Sequence, residues 1–347
     1  MRIFSYRNKR VIKRVLLILL AVVLFLGALV IGRFIYLQRF IVYSKGSAHL
    51  DYSQKLSPSG KTETAASSKD YPFETIVSGS EETQDGQNDI PAVSGYYIST
   101  EMLSGGVDKV RDALKAASGY NAVLIDVKSV YGNFYYSTKL SGASVATDGI
   151  DVTEVDALIK DLTQTQGLTV IARVPAFSDS NFALAHQSEG LPLSSGALWT
   201  DHNGCYWLNP YSNDVQSYLS SIGLELSDLG FDEVLYDDFY FPDSANIVWS
   251  NTDVTKEAAV ADAAKNISSD LSGDGLRVCF GSSAPEVAAC ASRVIVTTDD
   301  ASQVETLITA LKSSLSNTAS QIVFLTSSRD TRFTACGVLR PLIEENS

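Results

Sequence analysis

Residues 213–242, NDVQSYLSSIGLELSDLGFDEVLYDDFYFP, decide the fold. Val215, Leu219, Ile222 and Leu226 recur three or four residues apart, the spacing that keeps apolar side chains on one helix face. Gly230 then breaks the pattern, and FDEVLYD, residues 231–237, reads as a short buried strand. A helix leading through a glycine into an apolar strand is half of a βα repeat.

The same unit recurs outward in both directions. Strands are expected at GYYIST (95–100), NAVLIDV (121–127), LTVIARV (168–174), LRVCFGS (276–282), RVIVTT (293–298) and QIVFLTS (321–327). Amphipathic stretches lie between most of them, such as VDKVRDALKAAS, VTEVDALIKDLTQ and DASQVETLITALKSSL. Alternating strands and helices imply a parallel sheet, and about 250 residues is the usual size of a (β/α)8 TIM barrel. With FDEVLYD the strands number seven, so either the barrel lacks one or it comes from RFTACGVL (332–339) or from residues 204–208. A doubly wound open sheet is the alternative. Against it, YYISTEMLSGG holds Gly105 and Gly106 but no third glycine at dinucleotide-binding spacing.

Ahead of the array runs VLLILLAVVLFLGALVI, Val15 to Ile31, 17 residues without a charge, near the lower limit for a membrane-spanning helix. Six basic residues precede it and three follow within the first 45, with no acid among them, so the positive-inside bias predicts a cytoplasmic N-terminus and an exported body. No small-residue cleavage site follows, which favours an uncleaved anchor over a signal peptide. The expected domains are a cytoplasmic basic tail (1–14), a transmembrane signal anchor (15–37), a flexible extracytoplasmic linker (38–90) and the barrel (91–347). SPSGKTETAASSKD and SGSEETQDGQND are too poor in aliphatics to offset ordering entropy. As a coil, the linker would hold the body about 35 to 40 Å from the membrane.

Beyond residue 45 the chain carries 18 basic against 40 acidic side chains, a poor match for phosphate backbones, so no nucleic-acid partner is expected. Neither a P-loop nor a G-x-S-x-G elbow occurs, and no nucleotide or other cofactor is implied. His202 has no partner at metal-ligand spacing, and no metal is expected. Cys205, Cys279, Cys290 and Cys336 form no C-x-x-C.

Working residues of such a barrel project from the C-terminal strand ends. Those ends carry Asp126 and Lys128, then Arg173 with Asp179 beyond it, then Asp237, Asp238 and Tyr240. An aromatic insert, GALWTDHNGCYWLNPYSND, adds Trp199, Asp201, Tyr206, Trp207, Asn209 and Tyr211. Rings beside carboxylates, Asn and Arg suit a carbohydrate, whose C–H faces pack on rings while its hydroxyls need donors and acceptors. Glycoside cleavage asks for two carboxyl groups. Consecutive residues of a regular strand face opposite ways, so only one of Asp237 and Asp238 would enter the mouth, and the Val-Leu alternation does not say which. Equally, an Asp at a strand end is commonly a cap or ion-pair partner, and the aromatics of a long insert are commonly its own small core.

Four blocks in order, GYNAVLIDVKSVYGNFYYST, GLTVIARVPAFSD, GALWTDHNGCYWLNPYSNDVQSY and LGFDEVLYDDFYFP, resemble a family of bacterial TIM-barrel glycoside hydrolases over about residues 95–245. The last block is also similar to a related glycosyl-hydrolase-like family, some of whose members act on peptidoglycan or other surface polysaccharide. The candidate catalytic carboxyls are Asp237, Asp238 and Asp126, all at strand ends; the resemblance places Asp126 and Asp237 on motif positions and puts Asp237 foremost. It implies substrate contacts from Lys128, Arg173, Asp179, Trp199, Trp207, Asn209 and Tyr240. Tyr240 stands where the first family has Arg, and Val278-Cys279 stands where it has an acid before Phe280-Gly281. Glu286, Asp299 and Asp300 are the candidates to replace that acid. The expected function is a membrane-anchored glycoside hydrolase facing outward onto cell-wall or surface glycan; the alternative is a barrel that binds glycan without cleaving it.

Overall fold

The computed structural model describes residues 41–44, 47–50, 90–147 and 149–343. The expected tail and membrane anchor, and most of the linker, lie outside the described residues; among those described, no helix is long and apolar enough to cross a membrane. The chain divides into two compact units, Met1–Ala65 and Ala66–Ser347. The first contributes an antiparallel hairpin within the stretch read as linker, β1 (Ile41–Ser44) on β2 (Ser47–Leu50), with Ile41 opposite Leu50.

In the second unit eight parallel strands close into a barrel. In chain order they are β3 (Ser94–Ile98), β4 (Ala122–Asp126), β7 (Thr169–Pro175), β8 (Glu233–Asp237), β9 (Arg277–Phe280), β10 (Arg293–Thr297), β11 (Ile322–Leu325) and β12 (Gly337–Pro341). A small parallel pair, β5 (Asn133–Phe134) and β6 (Ser144–Val145), lies in the loop after β4. The eighth barrel strand corrects the count of seven and excludes the open sheet. It begins within the 332–339 segment, pairs with β11 and β3, and closes the ring. The 204–208 segment instead belongs to the insert, where Tyr206 bridges Thr200 and Trp207 bridges Ser178. Closure needs a close approach at β3: a Cβ on Gly95 would lie 1.8 Å from the Ala122 carbonyl oxygen.

The barrel is buried on both faces, as a parallel sheet clad in helices must be. Ala122, Leu124, Ile171, Leu235, Cys279, Ile295, Val323, Leu325 and Leu339 fill the interior. Val123, Ile125, Val170, Ala172, Val234 and Tyr236 face the helices, including Val107–Ala116, Val152–Thr163, Asn213–Asp228 and Lys256–Asp270. Side chains alternate along a strand, so the interior residues set the phase. Two residues beyond Leu124, Ile171, Leu235 and Cys279 come Asp126, Arg173, Asp237 and Gly281, which form one layer at the C-terminal mouth.

Candidate active site at the barrel mouth

Arg173 occupies the centre of that layer. Its Nη1 donates to Asp126 Oδ1 at 2.9 Å and to the Tyr97 hydroxyl at 3.0 Å, while Nε donates to Asp237 Oδ2 at 2.7 Å and Nη2 lies 2.6 Å from the same oxygen. The register explains the reach: Asp126 on β4 stands opposite Arg173 on β7, and Asp237 is one inward position beyond Leu235, which faces Arg173 from β8. Burial opposes the guanidinium charge, but Tyr97, Asp237 and Asp126 outweigh it and hold Arg173 protonated. The Tyr97 hydroxyl donates to Asp126 Oδ2 at 2.8 Å, and chiefly its burial keeps it a neutral phenol. Thr100 N–H gives Asp126 Oδ2 a further donor at 3.0 Å. Asp126 is thus buried and saturated, a support for Arg173.

Asp237 stands differently. Its side chain keeps 18% of its surface open to solvent. Its Oδ1 accepts the Asp238 N–H at 2.9 Å. A Cβ on Gly281 would lie 2.2 Å from that oxygen, so the glycine after β9 leaves the room the carboxylate occupies. Asp238 follows with φ of 51°, the one non-glycine residue with positive φ among the described residues. The regular alternation expected at this point stops at Asp237, and Asp238 is not bound to face the helix layer. Burial first, and then the neighbouring Asp237 charge, push its carboxyl up to about 7 against the pull of Arg173 and Lys128.

Other expected residues are placed in supporting positions. Lys128 and Asp179 form a fully buried ion pair at 2.9 Å. Lys128 Nζ also donates to the Pro175 carbonyl, and Asp179 caps the helix Ser180–Ala185 through the Phe182 N–H and accepts from the Tyr218 hydroxyl. The pair ties the insert to the barrel. Asn209 Oδ1 accepts the Tyr211 N–H and shapes a turn.

The insert forms one wall of the mouth. Trp207 is nearly buried, with its indole N–H donating to Asp201 Oδ2 at 3.1 Å. Trp199 lies edge-on to it at 6.2 Å, and Tyr240 tilts against it at 4.9 Å with half its surface exposed. Tyr240 is therefore the open ring of the three. Asp299 is tied to Thr326 and Ser327, Asp300 caps the turn Ala301–Gln303, and Glu286 is exposed in the first turn of the helix Pro285–Ala288. Among the described residues no His, Cys, Asp and Glu side chains group as metal ligands, and all four cysteines are free. Tyr97 and Gly281 are the mouth residues that reading the sequence missed; the interior phase of their strands is the signal that finds them.

Residues 95–280, just over half of the chain, match the family described as "Putative glycosyl hydrolase domain". No curated protein matches. Among solved structures, a hypothetical protein from Ruminiclostridium thermocellum shares 23% identity over 53% of this chain and 96% of its own, with a TM-score of 0.43. Ega3 of Aspergillus fumigatus, solved with galactosamine, shares 12% over 75% of this chain and 96% of its own, with a TM-score of 0.45. The GH36 alpha-galactosidase AgaA of Geobacillus stearothermophilus shares 13% over 72% of this chain, which spans 38% of AgaA, with a TM-score of 0.47. At these TM-scores they speak to neither substrate nor mechanism.

Proposed function

Since the chain belongs to this glycosyl hydrolase family, we propose that it hydrolyses O-glycosyl bonds of cell-wall or surface polysaccharide, with Asp237 as the carboxylate that acts at the anomeric carbon. The observation that carries the reading is the setting of Asp237: inward-facing at the mouth, partly open, clamped by Arg173 and given clearance by Gly281. A carboxyl group so held has a fixed direction, suited to attack the anomeric carbon or to activate a water there. Asp126 and Tyr97 position Arg173, and Tyr240, backed by Trp207 and Trp199, offers a ring face to a sugar.

Residues 1–14 are a cytoplasmic tail, 15–37 a single-pass anchor and 38–90 a linker, so that the barrel, 91–347, faces outward. The apolar run and its basic flanks support this.

The test is reducing-end release from a panel of peptidoglycans and surface polysaccharides. Wild type is expected to release reducing ends, and Asp237→Asn to lose at least about 100-fold of that rate. Unchanged release by the variant would sink the assignment. A binding barrel without turnover is the second reading. It is favoured by strand β9, where Val278-Cys279 stands in place of the acid of the resembling family; Cys279 is buried, with its thiol donating to Glu233 at 3.3 Å. Saturable binding of an oligosaccharide with no new reducing ends would support it.

A further inference from the structure

We infer that Asp238 is the proton donor to the departing glycosidic oxygen, the role that the reading above leaves unassigned and on which this inference rests.

Three observations converge on it. The first is the backbone. A regular strand would carry Asp238 to the same side as Val234 and Tyr236, which pack among the helices. Its φ of 51° departs from that course, in a conformation that a side chain bearing a Cβ adopts only at a cost. Strain of this kind persists where the surrounding structure holds it, and it concentrates at working sites.

The second is hydrogen bonding. Each neighbouring acid is engaged: Asp126 by Tyr97, Thr100 and Arg173; Asp237 by Arg173; Asp179 by Lys128 and Tyr218; Asp201 by Trp207, Asn203 and Cys205. The Asp238 carboxyl makes no hydrogen bond to any described residue, and the residue keeps part of its surface open to solvent. A proton donor needs an O–H with no competing acceptor and a path to the substrate.

The third is charge. Arg173 and Lys128 are the cations that act on Asp238, and each already has carboxylate partners of its own. Against them stand Asp237 and Asp201, with Tyr240 and Cys205 also in electrostatic reach. Burial and like charge together favour the protonated carboxyl near neutral pH.

In the reaction the C1–O bond breaks with its electron pair on oxygen, and that oxygen takes the Asp238 proton. One water is consumed overall. Its OH ends on the anomeric carbon, directly or after an Asp237 ester, and its remaining proton restores the Asp238 carboxyl.

The test has two arms on the full chain in detergent. Difference potentiometric titration of wild type against Asp238→Asn needs no substrate; Asn tolerates the left-handed backbone, so the fold is kept. One extra proton with a midpoint near 7 is expected. A midpoint below about 5, close to an ordinary aspartate, overturns the inference. In the second arm, on the panel glycan that wild type cleaves, Asp238→Asn is expected to lose about 100- to 10,000-fold in kcat and the alkaline limb of the pH profile. Wild-type turnover by that variant overturns the inference while leaving hydrolysis by Asp237 standing. A midpoint near 7 with no cleavage of any glycan by wild type would tell against hydrolysis itself, and the donor role would fall with it.

Discussion

Replacing Arg173 with Met tests the mouth as a piece of electrostatics. The guanidinium is the shared partner of Asp126 and Asp237, whose side chains keep 4% and 18% of their surface, while its own keeps 21%. At an effective dielectric of about 20, unit charges about 4 Å apart attract by about 4 kcal/mol, offset in part by the desolvation of the cation itself. Met removes the cation and leaves both carboxylates: Asp126 keeps Tyr97 and Thr100, and Asp237 keeps only the Asp238 N–H. Breaking a buried pair in this way costs about 3–5 kcal/mol. Urea unfolding followed by tryptophan fluorescence measures this, with Arg173→Lys, which keeps the charge and loses the fork, expected in between. A deficit below about 1 kcal/mol, or Arg173→Lys as destabilised as Arg173→Met, would refute the electrostatic account.

Two further outcomes follow from the same layer. Asp238 holds its proton in the folded state up to about 7, so its contribution is complete below the unfolded value near 4 and is lost as pH rises to 7, about 4 kcal/mol for a shift of about 3 units; Asp238→Asn should flatten that slope, and parallel stability profiles would contradict it. Gly281→Ala puts a methyl 2.2 Å from Asp237 Oδ1, which should displace the carboxylate and cost about 100-fold in glycan cleavage with the barrel still folded by circular dichroism; full activity would show that the clearance is not needed.

How much of this was legible beforehand depends on the kind of signal. Seven strands stood out because buried parallel strands are dense in Val, Ile and Leu. The eighth, GVLRP, was legible only as one of two candidate segments, because it follows directly on the turn Thr331–Ala335 and ends in proline. The same density of apolar residues hid the strand phase. FDEVLYD carries acids in both phases, Asp232 in one and Glu233 with Asp237 in the other, and so offers no single polar side to orient by, whereas in the closed barrel Leu235 lies among Leu124 and Ile171 while Val234 and Tyr236 meet helices. Lys128 and Asp179 bear the right chemistry for a sugar, and only their mutual burial assigns them to holding the insert.

Reading residues one after another was enough to establish the repeated βα unit, the C-terminal strand ends as the place of the site, and the candidates Asp126, Arg173, Asp237 and Asp238, because periodicity and residue chemistry are local properties of a chain. Closure of the ring, the clamp that joins Asp126 to Asp237 through Arg173, the space left by Gly281 and the left-handed turn at Asp238 belong to tertiary structure alone. Each is a relation between residues tens of positions apart, or between a backbone angle and the packing that holds it, and such relations exist only once the strands are in register.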